Sequence, residues 1–346
     1  MIGDRGILEH TMHLLVGIDT EGDNQWDAGA RAHQRFENIY ALPRLHALFA
    51  RHGVRPTYVI TYPVASDPRS AEVLRALKAG GDCEIGAHHH AWETPPCTPD
   101  DVRRHPYASN LPLRQFEHQL AALTQAIEDA VGERPVSYRS GRFGFSAAHV
   151  PALEALGYRV ESSVAPLFYE THKSGPDFVE APLRPYFLAY DNATRPGASG
   201  VLEVPVSAAL NRSMPKRLQY LYARAPYNYT TKRVLRKLGV ARMRWLRPSY
   251  SSLDDMIGLA RDLAGAGEPV LNLLFHSSEA IVAASPYNRT DAELAAFCDR
   301  LERFFVYARD TLGAKPSTFS EFYRSYLAPA LALEHDPLRR GKPVSA

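Results

Sequence analysis

Two strand-like segments decide the fold, and each ends in side chains that carry charge or bind metals. The apolar run Leu14–Ile18 stops at Asp19-Thr20-Glu21-Gly22-Asp23, and Glu84-Ile85-Gly86-Ala87 runs into His88-His89-His90. Because side chains alternate along a strand, Asp19 and Glu21 face one side if the strand continues, and His88 and His90 share a side. Carboxylates and imidazoles gathered at strand ends predict a hydrolytic metal site. A solvated turn and a polar strand end are the alternatives that these residues leave open.

Strand and helix patterns alternate along most of the chain. The predicted strands are His13–Ile18, Thr57–Thr61, Asp82–Ala87, Val136–Tyr138, Tyr158–Ser162 and Pro269–Phe275. The predicted helices are Gln34–Arg51, Arg69–Ala79, Leu113–Val131, Ser146–Leu156, Ser252–Ala264 and Asp291–Leu312. Such alternation favours parallel pairing, and chemistry in parallel sheets sits at the carboxyl ends of the strands. Asp19, His88, Arg139 and His276 all fall at such ends.

Composition excludes several classes of protein. The chain has 346 residues, of which 45% are hydrophobic, and this favours a globular protein over a disordered one. No segment has the character of a signal peptide or the length of a transmembrane span, so we expect a cytoplasmic location. Three cysteines without CxxC spacing indicate neither a disulfide framework nor a cysteine zinc site.

The stretch from Val204 to Leu253 has an unusual charge pattern. It contains no Asp or Glu, and it carries eleven basic residues: Arg212, Lys216, Arg217, Arg224, Lys232, Arg233, Arg236, Lys237, Arg242, Arg244 and Arg247. A one-sided positive field attracts anionic ligands, although a solvated helical face is an equally simple explanation. No nucleic-acid-binding motif accompanies the charge, so nucleic acid is not expected as a partner.

Seven segments, taken in order, resemble the motifs of the polysaccharide deacetylases, carbohydrate esterase family 4. Asp19 and Glu21 are similar to the family's acidic pair, here spaced as Asp-x-Glu, and 84–88 is similar to its EIGxH strand. Residues 138–144 resemble a variant of its Arg-x-Pro-x-Gly loop. Later motifs are matched by 161–163, 203–205, the strand 271–276 and the closing segment 317–322. His88, His90 and Trp92 match a branch with the pattern His-x-His-x-Trp, and Trp92 stands where the family commonly has its second histidine.

The resemblance implies an α/β fold, a distorted (β/α) barrel of about seven parallel strands. It covers one domain, residues 13–328, with an irregular basic insertion at about 168–250. Residues 1–12 and 329–346 are expected to be tails. Closure of the sheet into a barrel cannot be predicted from the pattern alone.

The resemblance also implies a reaction, the metal-dependent removal of N-acetyl groups from an amino-sugar-containing glycan or glycan precursor. A divalent metal, zinc as the first expectation, would be held by Glu21, His88 and His90, and it would activate a water. Asp19 would take the proton of that water, and His276 would protonate the departing amine.

Further residues receive roles from the same resemblance. Arg139 or Arg142 would keep Asp19 ionised and oriented, because a nearby cation favours the charged carboxylate. Trp92, Phe143 and Tyr138 are expected to contact the substrate. A surface charge or a structural ion pair is the alternative for each arginine.

The expected partner is a carbohydrate. The basic segment suggests an anionic glycan or a sugar linked to a lipid carrier, in which case the protein would contact a membrane surface peripherally. Two other functions stay open: a metal-dependent amidohydrolase acting on a small non-sugar amide, and a catalytically silent glycan-binding relative. A glycoside hydrolase using Asp19 and Glu21 is weaker, because it leaves the histidines without a role.

Overall fold

The computed structural model describes residues 11–98, 106–225 and 241–334, together with Val234 and Lys237. Most of the two predicted tails, and Lys232, Arg233 and Arg236 of the basic segment, lie outside the described residues.

Eleven strands are formed by the described residues. They are β1 His13–Thr20, β2 Thr57–Ile60, β3 Glu84–His89, β4 Ser137–Ser140, β5 Val160–Glu161, β6 Tyr186–Phe187, β7 Leu202–Glu203, β8 Ala208–Leu210, β9 Met243–Trp245, β10 Val270–His276 and β11 Lys315–Ser317.

The helices of the described ranges connect and cover these strands. They are α1 Ala28–Ala32, α2 Glu37–Tyr40, α3 Leu42–Arg51, α4 Tyr62–Ser66, α5 Pro68–Ala79, α6 Leu113–Val131, α7 Val150–Ala155, α8 Lys216–Arg224, α9 Leu253–Gly265, α10 Asp291–Val306 and α11 Phe319–Glu334. Within these described helices, none combines the length and the apolarity that crossing a membrane requires.

The main sheet places seven parallel strands side by side, in the order β10-β1-β2-β3-β4-β5-β7. Strand β6 extends this sheet antiparallel to β7, and β11 pairs in parallel with β1. The predicted α/β class and the predicted number of parallel strands are therefore confirmed.

The sheet curls into an incomplete barrel, because no regular ladder joins β7 to β10 in the part of the chain that the structure describes. Irregular segments bridge this gap. The Ser207 amide donates to the carbonyl oxygen of Asn272 at 3.2 Å, and the Leu274 amide donates to Leu246 at 3.0 Å. The side-chain amide of Asn272 donates to the Val204 carbonyl and to Ser162 Oγ, each at 2.9 Å. Backbone bonds from irregular segments and the Asn272 side chain thus replace the missing strand pairing.

The helix that packs on the site-bearing strands is the amphipathic α6. It buries Phe116, Leu120, Leu123 and Ile127, and each such side chain contributes about 1.5–3 kcal/mol when it is removed from water. Gly132 ends the helix with a φ of 74°, a left-handed conformation that favours glycine. The predicted bounds of this helix, 113–131, are confirmed.

Several predicted bounds differ from the observed ones. Strands β1, β3, β4 and β10 run one or two residues further than predicted, into the polar residues of the strand ends. The predicted helix 34–51 is divided into α2 and α3, because Pro43 begins a new helix and cannot continue the old one. The helix predicted over 291–312 changes at Val306 to a π-helical turn, Tyr307–Thr311.

Residues 168–250, predicted as an irregular insertion, contribute directly to the main sheet. Strands β6 and β7 lie in this segment and extend the sheet beyond β5. Strands β8 and β9 form a separate antiparallel pair, and α8 follows β8. Strands of two or three residues have no readable period, so the pattern predicted none of these, and only the resemblance indicated the segment at Glu203.

Candidate active site

The predicted site residues meet at one edge of the sheet. Asp19 pairs in register with His276 across β1 and β10, and His88 pairs with Arg139 across β3 and β4. Since these strands are parallel neighbours, their carboxyl ends open on the same side. The strand ends therefore gather the acidic, basic and imidazole side chains that the sequence separates by up to 257 positions.

Glu21, His88 and His90 form a buried trio. The Nε2 atom of His90 lies 2.8 Å from Oε2 of Glu21, and Nε2 of His88 lies 3.8 Å from the same oxygen. One donor atom from each side chain lies within 4.8 Å of the others. Two imidazole nitrogens and a carboxylate oxygen are a donor set that zinc and related divalent ions accept.

Neighbouring groups set the orientation of the histidines. Nδ1 of His88 donates to the carbonyl oxygen of Arg139 at 3.0 Å, which leaves Nε2 free to bind on the side of Glu21. His89 points to the opposite face, where its Nε2 lies 2.8 Å from the Gln119 amide oxygen on α6. The predicted division of the three histidines is thus observed. Gly141 makes room for His90, since a Cβ there would lie 2.2 Å from Nδ1.

The electrostatics of the trio suit a cation. Burial lowers the pKa of His88 to about 4 and that of His90 to about 3, so both imidazoles are neutral near pH 7 and can donate a lone pair. Burial raises the pKa of Glu21. Within the described residues, Nδ1 of His90 is buried without a hydrogen-bond partner. The trio therefore fits a divalent cation, whose charge would stabilise the buried carboxylate.

Asp19 and Arg139 form a buried ion pair, which we call the base side of the site. Nη1 of Arg139 donates to Oδ1 of Asp19 at 2.6 Å, and the arginine side chain is fully buried. The guanidinium also donates to the carbonyl oxygen of Ser162 at 2.8 Å. Burial by itself would raise the pKa of Asp19, but Arg139, with His88 and His276, holds it well below its usual range. Gly17 leaves space for the arginine, because a Cβ there would lie 2.5 Å from Nη2.

His276 and the residues behind it form the acid side of the site. Its Nε2 lies 3.7 Å from Oε1 of Glu21 and 3.9 Å from Oδ2 of Asp19. Its Nδ1 donates to Oε1 of Glu279 at 2.7 Å. Burial alone would lower the pKa of His276, but the hydrogen bond to Glu279 and the charge of Glu21 raise it above its usual value.

Glu279 is itself held by groups that the sequence reasoning did not identify as part of the site. Nη2 of Arg247 donates to Oε1 of Glu279 at 2.9 Å, and the Ser249 hydroxyl donates to Oε2. Burial would raise the pKa of Glu279, but Arg247 and His276 lower it to about 2. The acidic residue three positions after His276 is a signal that could have been noticed. Arg247 was counted only as part of the basic segment.

Trp92 and Phe143 lie near the trio, and Tyr138 does not. The Trp92 ring centroid is 4.0 Å from that of His90, and the Phe143 ring is half-buried against Phe168 and Trp245. The expectation that Tyr138 contacts substrate is wrong. Its ring is fully buried in the core between Phe116 and Tyr158, because strand alternation turns it to the face opposite Arg139.

Arg142 does not hold Asp19, because Arg139 fills that position. Its guanidinium carbon lies 4.7 Å from the centre of the Trp92 ring, in cation–π contact, and the side chain is exposed. The backbone at Arg142 has a φ of 55°, a left-handed conformation that loop sequence does not reveal.

Trp26 and Glu93 also border the site and were not predicted. Trp26 is 38% exposed, and its ring meets His276 edge to face at 4.8 Å. Oε2 of Glu93 accepts from Nε2 of Gln34 at 2.8 Å, and burial, followed by the charge of Glu21, raises the pKa of Glu93 to about 8.

Acidic residues elsewhere pair with four arginines of the basic segment. Arg224 pairs with Asp177 and Glu180, Arg242 with Asp255, Arg244 with Asp262, and Arg247 with Glu279. These four arginines stabilise contacts between parts of the chain, so the field expected from the sequence is reduced at their positions.

Known proteins show what this chain is similar to. Residues 30–160 match the family model for polysaccharide deacetylases. A crystal structure assigned as a polysaccharide deacetylase from Mycobacterium smegmatis superposes with a TM-score of 0.54 and 17% identity over 92% of each chain. One from Parabacteroides distasonis, assigned as a glycoside hydrolase/deacetylase, gives a TM-score of 0.61 and 14% identity, covering 93% of this chain and 73% of the other.

At these identities the two structures establish the shared fold alone. No curated protein sequence shows significant similarity to the chain. The match to the family model agrees with the order of motifs along the sequence and with their meeting at one sheet edge. The resemblance predicted from the motifs is confirmed by the family match, which covers residues 30–160 of the chain.

Proposed function

We propose that this protein is a metal-dependent deacetylase that removes acetyl groups from the amino sugars of a glycan or glycan precursor. One observation carries the proposal. One oxygen of the Glu21 carboxylate lies 2.8 Å from Nε2 of His90, and the other lies 3.7 Å from Nε2 of His276. The same nitrogen of His276 lies 3.9 Å from Oδ2 of Asp19. A cation site, a carboxylate base and an imidazole acid therefore border one point, which is the arrangement that hydrolysis of an amide needs.

Glu21, His88 and His90 are the residues that would hold the metal. A bound divalent cation, with zinc the first candidate, polarises the amide carbonyl and lowers the pKa of water to about 7 in good zinc sites. The depressed pKa values of the two histidines support binding near neutral pH, since protons do not compete for their nitrogens there.

Asp19 is the proposed base. Its carboxylate takes a proton from the attacking water as the water oxygen bonds to the acetamide carbon. Arg139 positions this carboxylate through the 2.6 Å bond and favours its ionised form.

His276 is the proposed acid. Its Nε2 proton passes to the amide nitrogen as the carbon–nitrogen bond breaks, so the sugar leaves as an amine and the acetyl group as acetate. Glu279 is a positioning residue, because it accepts from Nδ1, fixes the tautomer and raises the pKa of the ring. Arg247 in turn positions Glu279.

The finer properties of the substrate stay predictions. Trp92 and Trp26 border the trio and His276 with aromatic surface of the kind that stacks on sugar rings, which supports a carbohydrate. Linkage to a lipid carrier, peripheral contact with a membrane and a cytoplasmic location have no support beyond the sequence. We also propose that residues 13–328 act as one catalytic domain.

The first test is metal content together with acetate release. Untagged protein purified without chelator should contain nearly one divalent ion per chain by elemental analysis, and His88→Ala should lose it. His118→Ala is the matched control, because His118 is exposed on α6 and should leave the metal in place. The metal-loaded wild type should release acetate from N-acetylated chitooligosaccharides, and His88→Ala should not.

The alternatives give different results in the same test. Bound metal with turnover of small cyclic amides, and none of acetylated sugars, would favour the amidohydrolase. Protein that neither contains metal nor takes it up from added zinc, and that still binds glycans, would be a catalytically silent relative.

A further inference from the structure

Two arginines at the rim of the site differ from the four paired arginines of the basic segment. Arg224, Arg242, Arg244 and Arg247 each pair with an acidic side chain. Arg31 and Arg142 make no ion pair with any acidic residue in the described ranges. A guanidinium without a carboxylate partner keeps its donors available for a ligand.

Arg142 is held close to the metal-ligand trio by the turn that carries it. Gly141, the residue before it, abuts His90 so closely that a side chain there would overlap the ring. Arg142 and Phe143 both have left-handed φ angles, 55° and 59°. This turn directs the Arg142 guanidinium over the Trp92 ring, which itself packs on His90. A strained backbone at such a place is typical of a functional constraint.

Arg31 approaches the same rim from α1, the short helix that follows Glu21. Its Nη1 donates to the carbonyl oxygen of Gln25 at 2.8 Å. The side chain of Gln25 is 7% exposed, and neither its nitrogen nor its oxygen has a partner among the described residues. The indole nitrogen of Trp92 is likewise buried and unpartnered. Buried polar atoms are nearly always satisfied, so unpartnered ones beside two free cations point to a polar ligand.

The two arginines adjoin the site from two directions. Arg142 lies over Trp92, whose ring packs on His90. Arg31 donates to the carbonyl oxygen of Gln25, the residue before Trp26, whose ring meets His276. After burial, the charge of Arg31 lowers the pKa of Arg142, so the two guanidinium groups repel each other. Like charges placed together are unfavourable until an anion lies between them.

We propose that Arg31 and Arg142 form an anion subsite beside the metal-ligand trio, and that the substrate carries a carboxylate or phosphate next to its N-acetyl group. The claim about the substrate rests on the proposed function, whereas the anion subsite itself does not. The anionic substrate expected from the sequence is thus retained, but its recognition moves from the paired arginines of the basic segment to these two at the rim.

The test measures binding in the absence of turnover. Asp19→Asn protein, which should not turn over substrate, is titrated calorimetrically with N-acetylmuramic acid and with its methyl ester, a pair that differs by one carboxylate charge. N-acetylglucosamine 6-phosphate and N-acetylglucosamine form the second pair, and the two pairs distinguish a carboxylate from a phosphate. Wild-type protein depleted of metal by chelation repeats the titrations in case Asp19→Asn folds poorly.

The expected result is about tenfold tighter binding of one anion than of its neutral partner, the size of one charge-assisted contact. Arg31→Gln and Arg142→Gln should each remove most of this preference, and Arg142→Lys should keep part of it. Arg242→Gln is the matched control, because Arg242 already pairs with Asp255, and it should change nothing.

Failure of the subsite and failure of the proposed function are distinguishable. Equal binding of anion and neutral partner, no measurable binding of either anion, or an equal loss in Arg242→Gln overturns the subsite, whatever acetate release shows. An anion preference that depends on Arg31 and Arg142 upholds the subsite even if no acetylated sugar is turned over, and only the deacetylase proposal then fails.

Discussion

The two sides of the site use the same chemistry in different structural settings. On the base side, Arg139 pairs with Asp19, and both residues belong to strands of the main sheet. On the acid side, Arg247 pairs with Glu279, and neither residue belongs to a strand. Arg247 follows β9, and Glu279 lies in the 3₁₀ turn after β10. The two sides meet at Glu21, whose two oxygens face His90 and His276.

This difference indicates which side of the site belongs to the core of the protein. Arg139 belongs to β4, is fully buried and contacts Asp19 of β1. A change on the base side therefore disturbs both strands. The acid side depends on the segment around 247–249, which lies outside the strands and is joined to β10 by the hydrogen bond from the Leu274 amide to Leu246. We therefore expect changes on the base side to affect both stability and activity, and changes on the acid side to affect activity more.

The largest expected effect follows from Asp19→Asn. Loss of the proposed base should lower kcat by about 10²–10⁴, the usual contribution of general acid–base catalysis, while metal content stays at the wild-type level. Acetate release and elemental analysis measure the two quantities. Loss of metal in this variant would mean that Asp19 binds the ion and that the roles of Asp19 and Glu21 are exchanged.

The comparison itself is tested by the matched pair Arg139→Met and Arg247→Met. The first leaves a carboxylate buried without its partner and should cost about 3–5 kcal/mol of unfolding free energy. The second should cost only about 1–3 kcal/mol, because Glu279 keeps its bonds to His276 and Ser249. Urea unfolding of the two variants gives both values. Equal losses would show that the two sides are equally part of the core.

Glu279→Gln should act on the acid side alone and change the pH dependence. Activity requires protonated His276, so it falls as pH rises through the pKa of that histidine. Glu279 raises this pKa, and its neutral replacement should therefore shift the alkaline limb of kcat to lower pH. The acid limb should not move, since Arg139 keeps the pKa of Asp19 well below its usual range. At the optimum we expect a loss of about ten- to a hundredfold, as for other partners that orient a functional histidine.

An unchanged alkaline limb in Glu279→Gln would remove the role given to Glu279. Glu268→Gln is a suitable control, because Glu268 is an acidic residue placed before β10, away from His276. It should leave both limbs where they are in the wild type.

The same division explains how much could be predicted from the sequence. Asp19, Glu21, His88, His90, Arg139 and His276 were predicted because they lie at or next to strand ends and match the family's motifs, and strand alternation determines which side chains share a face. Alternation also argues against Tyr138, which precedes Arg139 and must face the other way. That inference was available from the sequence and was not drawn.

The remaining parts of the site depend on contacts that no local pattern records. Arg247 reaches Glu279 across 32 positions, and its place is set by the hydrogen bond from Leu274 of β10 to Leu246, the residue before Arg247. Arg142 and Phe143 take directions that follow from left-handed backbone angles. The order of strands and helices was predicted correctly where elements are long, and the short strands β6, β8 and β9 were missed because they have no period.

The smallest expected effect is that of Ser249→Ala, which sharpens the comparison from the acid side. Ser249 donates to the second oxygen of Glu279, so its loss removes one of the four hydrogen bonds that hold this carboxylate. A single hydrogen bond to a charged group is worth about 1.5–3 kcal/mol at most, and Arg247 still holds the other oxygen. We expect kcat to fall by only a few fold, with the alkaline limb shifted slightly to lower pH because Glu279 is less well oriented toward His276.

The corresponding variant on the base side is Ser162→Ala, since the Ser162 hydroxyl accepts from Arg139 at 3.1 Å. Unlike Ser249, Ser162 is fully buried and also accepts from Asn272, so this variant should lose measurable stability as well as activity. If Ser249→Ala proved the more destabilising of the two, the acid side would be part of the core and the contrast between the two sides would not hold.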